Sequence, residues 1–215
     1  MGEEQSLRQK TAKGLFWGGL SNSLQQLLGL LFGIVLARLL SRSDYGMIGM
    51  LTIFSTIANI LQESGFISAL VNRKNASDKD YNAVFWFSVS CSAILYILLY
   101  LSAPLIAEFY RTPELVPLSR LAFLSFFIAS LGIAPRAILF RNLKVKENTI
   151  ISLSSLTLSG ITAIVLAVNG FAYWGIATQS IVYVGTINIC YWCFSPWRPT
   201  LTFDFKPLKG MKSEA

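Results

Sequence analysis

Histidine is absent from this 215-residue chain, and only 13% of the residues are charged, about half the share found in an average soluble domain. The side chain that most often serves as a general base or a metal ligand is therefore missing. The chain also shows no cluster of metal ligands and no acid pair suited to phosphoryl or glycosyl chemistry. These absences predict a protein that is not an enzyme and that carries no metal or other cofactor.

Cysteine is scarce, and its positions exclude two further classes of site. Cys91, Cys190 and Cys193 all lie inside apolar runs. Cys190 and Cys193 form a C-x-x-C pair, but a zinc site needs about four ligands and no second pair accompanies this one. We interpret the three cysteines as small apolar residues of membrane spans, and no disulfide framework is indicated.

Apolar sequence is abundant: 53% of the residues are hydrophobic and the mean hydropathy is +0.55. The apolar runs are continuous, as in AILYILLYL, and lack the two-residue alternation of barrel strands. The sequence therefore predicts an all-α integral membrane protein with a six-helix transmembrane bundle. The six predicted spans are residues 15–37, 47–70, 83–106, 117–139, 148–168 and 172–194.

The basic residues predict the orientation. With a cytoplasmic N-terminus, most of the 18 lysines and arginines fall on the cytoplasmic side, as the positive-inside rule requires. We therefore predict a multi-pass protein with both termini in the cytoplasm. Its three parts would be a tail at 1–14, the six-helix unit at 15–195, and a basic tail or truncated linker at 196–215.

Charged residues in the loops have simpler roles. The net charge of +7 resides between the apolar runs, so we expect membrane lipid and not nucleic acid as a partner. Asp78 and Asp80, in the loop before the third span, are interpreted as a solvated turn and a helix cap.

The first span contains polar residues that lipid does not require. Gly14, Gly18, Asn22 and Gln26 are spaced four apart and share one helix face, and Gln25 lies beside them near the middle of the span. Such a stripe is typical either of close helix packing or of a water-filled cavity.

The second span repeats the pattern, because Asn59, Gln62 and Glu63 also share a face. An ionised carboxylate in lipid costs a few kcal/mol or more, so Glu63 should face a cavity or a partner. Packing remains an alternative, but several polar groups at one depth favour a cavity. We predict that Gln25, Gln26, Asn59, Gln62 and Glu63 line it.

Several stretches resemble one family of transporters. They are LARLLSRSDYGMIGM at 36–50, GFISALVNRK at 65–74 and DYNAVFWFSV at 80–89. Together they resemble the Wzx/WzxC-type polysaccharide (lipopolysaccharide or O-antigen) exporters of the multidrug, oligosaccharidyl-lipid and polysaccharide flippase superfamily. The resemblance extends over nearly the whole chain.

The resemblance implies a fold of two six-helix lobes around a polar, often cationic cavity, of which this chain would be the N-terminal lobe. It implies alternating access that moves a lipid-linked glycan, typically on undecaprenyl pyrophosphate, across the bacterial inner membrane. Arg38 and Arg136 would be candidates for contacts with phosphate or glycan. A second lobe or a homodimer partner would complete the transporter.

Two alternatives stay open. The chain could be a drug or cation exporter of the same superfamily, in which Glu63 would couple transport to protons. It could also be an inactive truncated remnant, or a scaffold in an envelope-polysaccharide complex.

Overall fold

The computed structural model describes residues 2–62, 77–142 and 145–200, and all regular structure in these residues is α-helical. The helices of this part of the chain are α1 (Gly2–Leu39), α2 (Arg42–Gln62), α3 (Asp78–Phe109), α4 (Leu115–Ser130), α5 (Ile133–Arg141), α6 (Val145–Val168) and α7 (Ala172–Phe194).

Each predicted span falls on helix where the structure describes it, except for a break at residues 131–132 in the fourth span. Helix α1 also includes residues 2–14 of the predicted tail, and α2 covers the predicted second span as far as Gln62. Among the described residues, three stretches are long and apolar enough to cross a membrane, namely Trp17–Leu39, α3 and α6. The bent pair α4 and α5 makes a fourth if it is counted as one span. The prediction of an all-helical membrane protein is thus confirmed. Helices α2 and α7, of 21 and 23 residues, are not among these stretches, so the count of six spans stays a prediction.

The helices pack in the order α1, α6, α7, α4, α3, with α2 lying against α4 and α7. Helices α6 and α7 form a hairpin, and Gly170 at its turn has φ +86°, a conformation that glycine adopts without strain. The main core joins α2, α3, α4 and α7 around the fully buried Leu115, Leu118 and Phe123. Helix α1 sits at the edge of this arrangement and packs chiefly on α6.

Two serine–aspartate caps explain where α2 and α3 begin. The Ser41 N–H and hydroxyl both donate to the Asp44 carboxylate, at 2.8 and 2.6 Å. Ser77 makes the same two bonds to Asp80, at 2.8 and 2.9 Å. In each pair the aspartate accepts from a backbone N–H at the helix start, which has no partner within the helix. The predicted capping role of Asp80 is confirmed, but its side chain is buried and not solvated.

The predicted fourth span is not one straight helix. It divides into α4 and α5, which are bent by 48° at residues 131–132. Pro135 has no N–H, so the Leu131 carbonyl loses the helical partner that residue 135 would have supplied. The Trp192 indole of α7 donates to that carbonyl at 3.0 Å instead. In a membrane an open carbonyl is costly, so this bond makes the bend tolerable.

A second polar contact secures the same bend. The side-chain amide of Asn188, one turn before Trp192 on α7, donates to the Ile128 carbonyl. A Cβ on Gly132 would overlap the Asn188 amide, so glycine is needed for this close approach. Asn188, in the sixth predicted span, therefore stabilises the bend between α4 and α5.

Trp192→Phe is expected to lower the free energy of unfolding by about 1 kcal/mol, because it leaves the Leu131 carbonyl without its donor. Thermal unfolding of the purified chain in mild detergent measures the effect. Trp174→Phe is the matched control, since that ring packs against the main core. Equal losses in both variants would contradict the role given to the indole N–H.

Candidate functional site

The face of α1 that carries Asn22 and Gln26 forms an open groove of about 620 Å³. We call it the α1 groove. Its walls come almost entirely from α1, with Leu156 of α6 on one side. The α1 residues that line it are Asn22, Gln25, Gln26, Gly29, Leu30, Gly33, Ile34 and Ala37. These residues span four helical turns, about 22 Å, which is most of the hydrocarbon thickness.

The glycines of the α1 groove face open space. Among the residues that the structure describes, nothing lies within 4 Å of a Cβ placed on Gly29 or Gly33. Glycines at a helix–helix interface behave differently, because a Cβ on Gly160 of α6 would meet the Phe32 ring at 2.5 Å. Within the described part of the chain, the glycine stripe of α1 is therefore an open surface and not a packing seam.

Gln25 and Gln26, predicted from the sequence, both line this groove. Gln25 is half-buried, and its amide donates to the Ser21 hydroxyl at 2.9 Å and to the Ser21 carbonyl at 3.3 Å. Gln26 is exposed. The two amides thus differ: one is oriented by its own helix, whereas the other points its donors and acceptors at the surroundings.

A smaller cavity of about 250 Å³ continues the groove between α1 and the start of α6. We call it the α1–α6 cavity. It shares Asn22 and Gln25 with the groove and adds Ser21, Asn148 and Ser152. The buried Oδ1 atom of Asn148 has no hydrogen-bond partner among the described residues. A buried amide oxygen usually finds a partner, so this cavity is suited to a water or a ligand hydroxyl.

Asn148 was not predicted from the sequence. The serine-rich run that follows it, residues 152–159, could have indicated a polar face on this helix. Asn148 and Ser152 are four residues apart and so share one face of α6. Only the packing of α6 against α1 shows that this face adjoins Ser21 and Gln25.

The predicted residues of the second span are not placed by the structure. Glu63 lies outside the described residues. Asn59 and Gln62 belong to helix α2, but their side chains are likewise outside the description. Their cavity role, and the proton coupling suggested for Glu63, stay predictions.

Arg38 and Arg136 are not brought together. Arg38 is exposed in the last turn of α1, one residue beyond the groove residue Ala37. Arg136 is exposed on α5, with its guanidinium 5.5 Å from the centre of the Phe140 ring, which lines the α1–α6 cavity. Arg38 therefore follows the end of the α1 groove, whereas Arg136 lies near the α1–α6 cavity at the other end.

These features belong to a membrane protein with an open groove along its first helix, and comparison with known proteins identifies the family. Residues 35–213 match the family described as "Polysaccharide biosynthesis protein", and the chain belongs to that family. The family resemblance predicted from the sequence is thus confirmed. No solved structure is significantly similar to the chain.

Three relatives illustrate the membership. The chain is 26% identical to the lipopolysaccharide biosynthesis protein WzxC of Escherichia coli K12, over 93% of this chain and 41% of the relative. It is 28% identical to the teichuronic acid biosynthesis protein TuaB of Bacillus subtilis 168, over 96% of this chain and 43% of the relative. It is 26% identical to the succinoglycan biosynthesis transport protein ExoT of Rhizobium meliloti, over 69% of this chain and 30% of the relative. The chain therefore spans about two fifths of the length of WzxC and TuaB.

Proposed function

We propose that residues 15–195 form one six-helix lobe of an exporter that moves lipid-linked saccharide units across the bacterial inner membrane. Family membership supports this proposal, as do the relatives named for lipopolysaccharide, teichuronic acid and succinoglycan biosynthesis. The observation that carries it is the α1 groove, a surface that no described helix covers and that bears the side-chain amides of Asn22, Gln25 and Gln26 at one end.

The groove suits an amphipathic cargo. Side-chain amides both donate and accept hydrogen bonds, so Asn22 and Gln26 can exchange water for sugar hydroxyls at little cost. Leu27 and Leu31, on the neighbouring face of α1, are 57% and 60% exposed and offer an apolar surface to a lipid chain. The saccharide would travel along the groove while the lipid chain remains in the bilayer. Arg38 at one end and Arg136 toward the other would attract its phosphate.

A cavity for the cargo needs a second wall. The wall would be a second lobe, supplied by more of the same polypeptide, by another protein or by a second copy. Rocking of one lobe against the other would open the α1 groove first to the cytoplasm and then to the outside. The substrate passes unchanged, so no catalytic group is needed.

The proposal includes the orientation of the chain in the membrane. Both termini, with residues 1–14 and 196–215, would lie in the cytoplasm. Positions 114 and 142 flank the bent fourth span. In a chain whose three native cysteines are replaced by serine, a membrane-impermeant thiol reagent should label a cysteine at position 114 in intact cells, and one at position 142 only after permeabilisation. The reverse pattern would overturn the orientation.

Deletion of the gene tests the function. We expect surface polysaccharide to fall and lipid-linked saccharide to accumulate in the membrane fraction, with both restored by re-expression. Loss of polysaccharide without accumulation would instead support a scaffold. Sensitivity to cationic dyes with normal polysaccharide would support the cation exporter.

A further inference from the structure

A second polar pocket, of about 690 Å³, lies away from α1. Its walls come from three distant parts of the chain: the start of α3, the end of α5, and the segment 195–200 that follows α7. We call it the basic pocket. The role proposed for the α1 groove makes no use of it.

The charged side chains of this pocket are mostly cationic. Among the described residues that line it, Lys79, Arg141 and Arg198 carry positive charge and Asp78 carries the one negative charge. Three cations converging from separate elements create a positive potential that favours an anion. Two of the three are arginines, whose planar guanidinium groups are well suited to phosphate oxygens.

Two of these cations are held in place by neighbouring groups. Arg141 donates to the Tyr81 hydroxyl at 3.2 Å. Arg198 donates to the carbonyls of Ser195 and Trp197 at 2.8 and 2.9 Å, and its guanidinium lies 5.6 Å from the centre of the Trp192 ring. Orienting a flexible cation before a ligand arrives reduces the entropy lost on binding.

The segment that carries Arg198 is itself fixed to the bundle. The Trp86 indole donates to the Thr200 carbonyl at 2.8 Å, and the Thr200 N–H donates to the Asn82 side chain at 2.9 Å. Trp197 is buried and packs on Phe85, with ring centres 5.8 Å apart. The pocket is therefore a formed feature of the fold.

The aromatic surroundings indicate the level of the pocket in the membrane. Tyr81, Trp86, Trp192 and Trp197 gather at this end of the bundle, and tryptophan and tyrosine concentrate where the bilayer meets water. Basic pockets between helices at the cytoplasmic interface bind anionic headgroups. We propose that the basic pocket binds the phosphodiester headgroup of an anionic phospholipid from the cytoplasmic leaflet.

Native mass spectrometry of the full chain in detergent tests this, with phosphatidylglycerol as the probe and phosphatidylcholine as its zwitterionic counterpart. We expect phosphatidylglycerol to bind more tightly. Lys79→Gln and Arg198→Gln should each weaken its binding about fivefold, and Arg198→Lys should retain most of it. Arg111→Gln is the matched control, because it removes one exposed positive charge from a loop outside the pocket.

Several outcomes would overturn the proposal. Equal binding of the two lipids, unchanged binding in Lys79→Gln, or an equal loss in Arg111→Gln would each exclude a headgroup site here. Displacement of phosphatidylglycerol by millimolar inorganic phosphate would assign the pocket to a free anion. Preferential binding of undecaprenyl phosphate would assign it to the transported lipid. Thermal unfolding in the absence of lipid shows whether each variant is folded. Lys79 is exposed at a helix start, so we expect Lys79→Gln to disturb the fold less than Arg198→Gln.

Discussion

Gly29→Trp is expected to reduce surface polysaccharide about tenfold or more while leaving the amount of protein in the membrane unchanged. The reason is steric. Nothing among the described residues lies within 4 Å of a Cβ at this position, so the indole can enter the α1 groove without disturbing the core. It would then occupy the space that we assign to the saccharide. Loss of about 1.4 kcal/mol of transition-state stabilisation already gives a tenfold lower rate.

Gly19→Trp is the matched control for this experiment. Gly19 lies on the same helix and also faces open space, but it lines neither the α1 groove nor the α1–α6 cavity. The measurement is surface polysaccharide, normalised to the protein level in the membrane. Export that is equally impaired in both variants would point to a general effect on α1, and normal export in Gly29→Trp would exclude the groove as the path.

The double variant Asn22→Leu and Gln26→Leu should also reduce export about tenfold or more. These substitutions keep a similar side-chain size but remove two amides from the groove. Hydroxyl groups of the bound saccharide would then lack hydrogen-bond partners in the groove. Each lost hydrogen bond weakens saccharide binding by about 1 kcal/mol. The effect should be accompanied by accumulation of lipid-linked saccharide, because the substrate is still made.

Ser23→Leu is the matched control for the double variant. Ser23 is exposed on α1 next to Asn22 but does not line the groove. A polar-to-leucine change there should leave export intact. Reduced export in Ser23→Leu, or full export in the double variant, would show that the amides of the groove do not contact the cargo.

Much of the architecture could be predicted because its causes are local. Runs of about 20 apolar residues fix the helices, and serine–aspartate pairs three residues apart fix the starts of α2 and α3. The four-residue spacing of Asn22 and Gln26 placed them on one face before any packing was known. The family was also readable from the loop sequences around the first two spans, and the match over residues 35–213 confirmed it.

Other features depended on contacts between residues far apart in the chain. Pro135 indicated a missing N–H, but not that Trp192, 61 residues after Leu131, would supply the donor that the Leu131 carbonyl needs. Asn188 is a polar residue within the sixth predicted span, and nothing in the neighbouring sequence indicates that its amide donates to the Ile128 carbonyl and holds the bend.

The sequence by itself determined that this is a helical membrane protein of a polysaccharide family, and which residues of α1 share a face. Helical periodicity and hydropathy act within a few residues, so they can be read directly. Only the tertiary structure decided that no described residue covers Gly29 and Gly33 of α1, that Asn148 and Gln25 line one cavity, and that Lys79, Arg141 and Arg198 line one pocket. Those outcomes depend on which helix packs against which, and that choice is made by side-chain fit across the whole bundle.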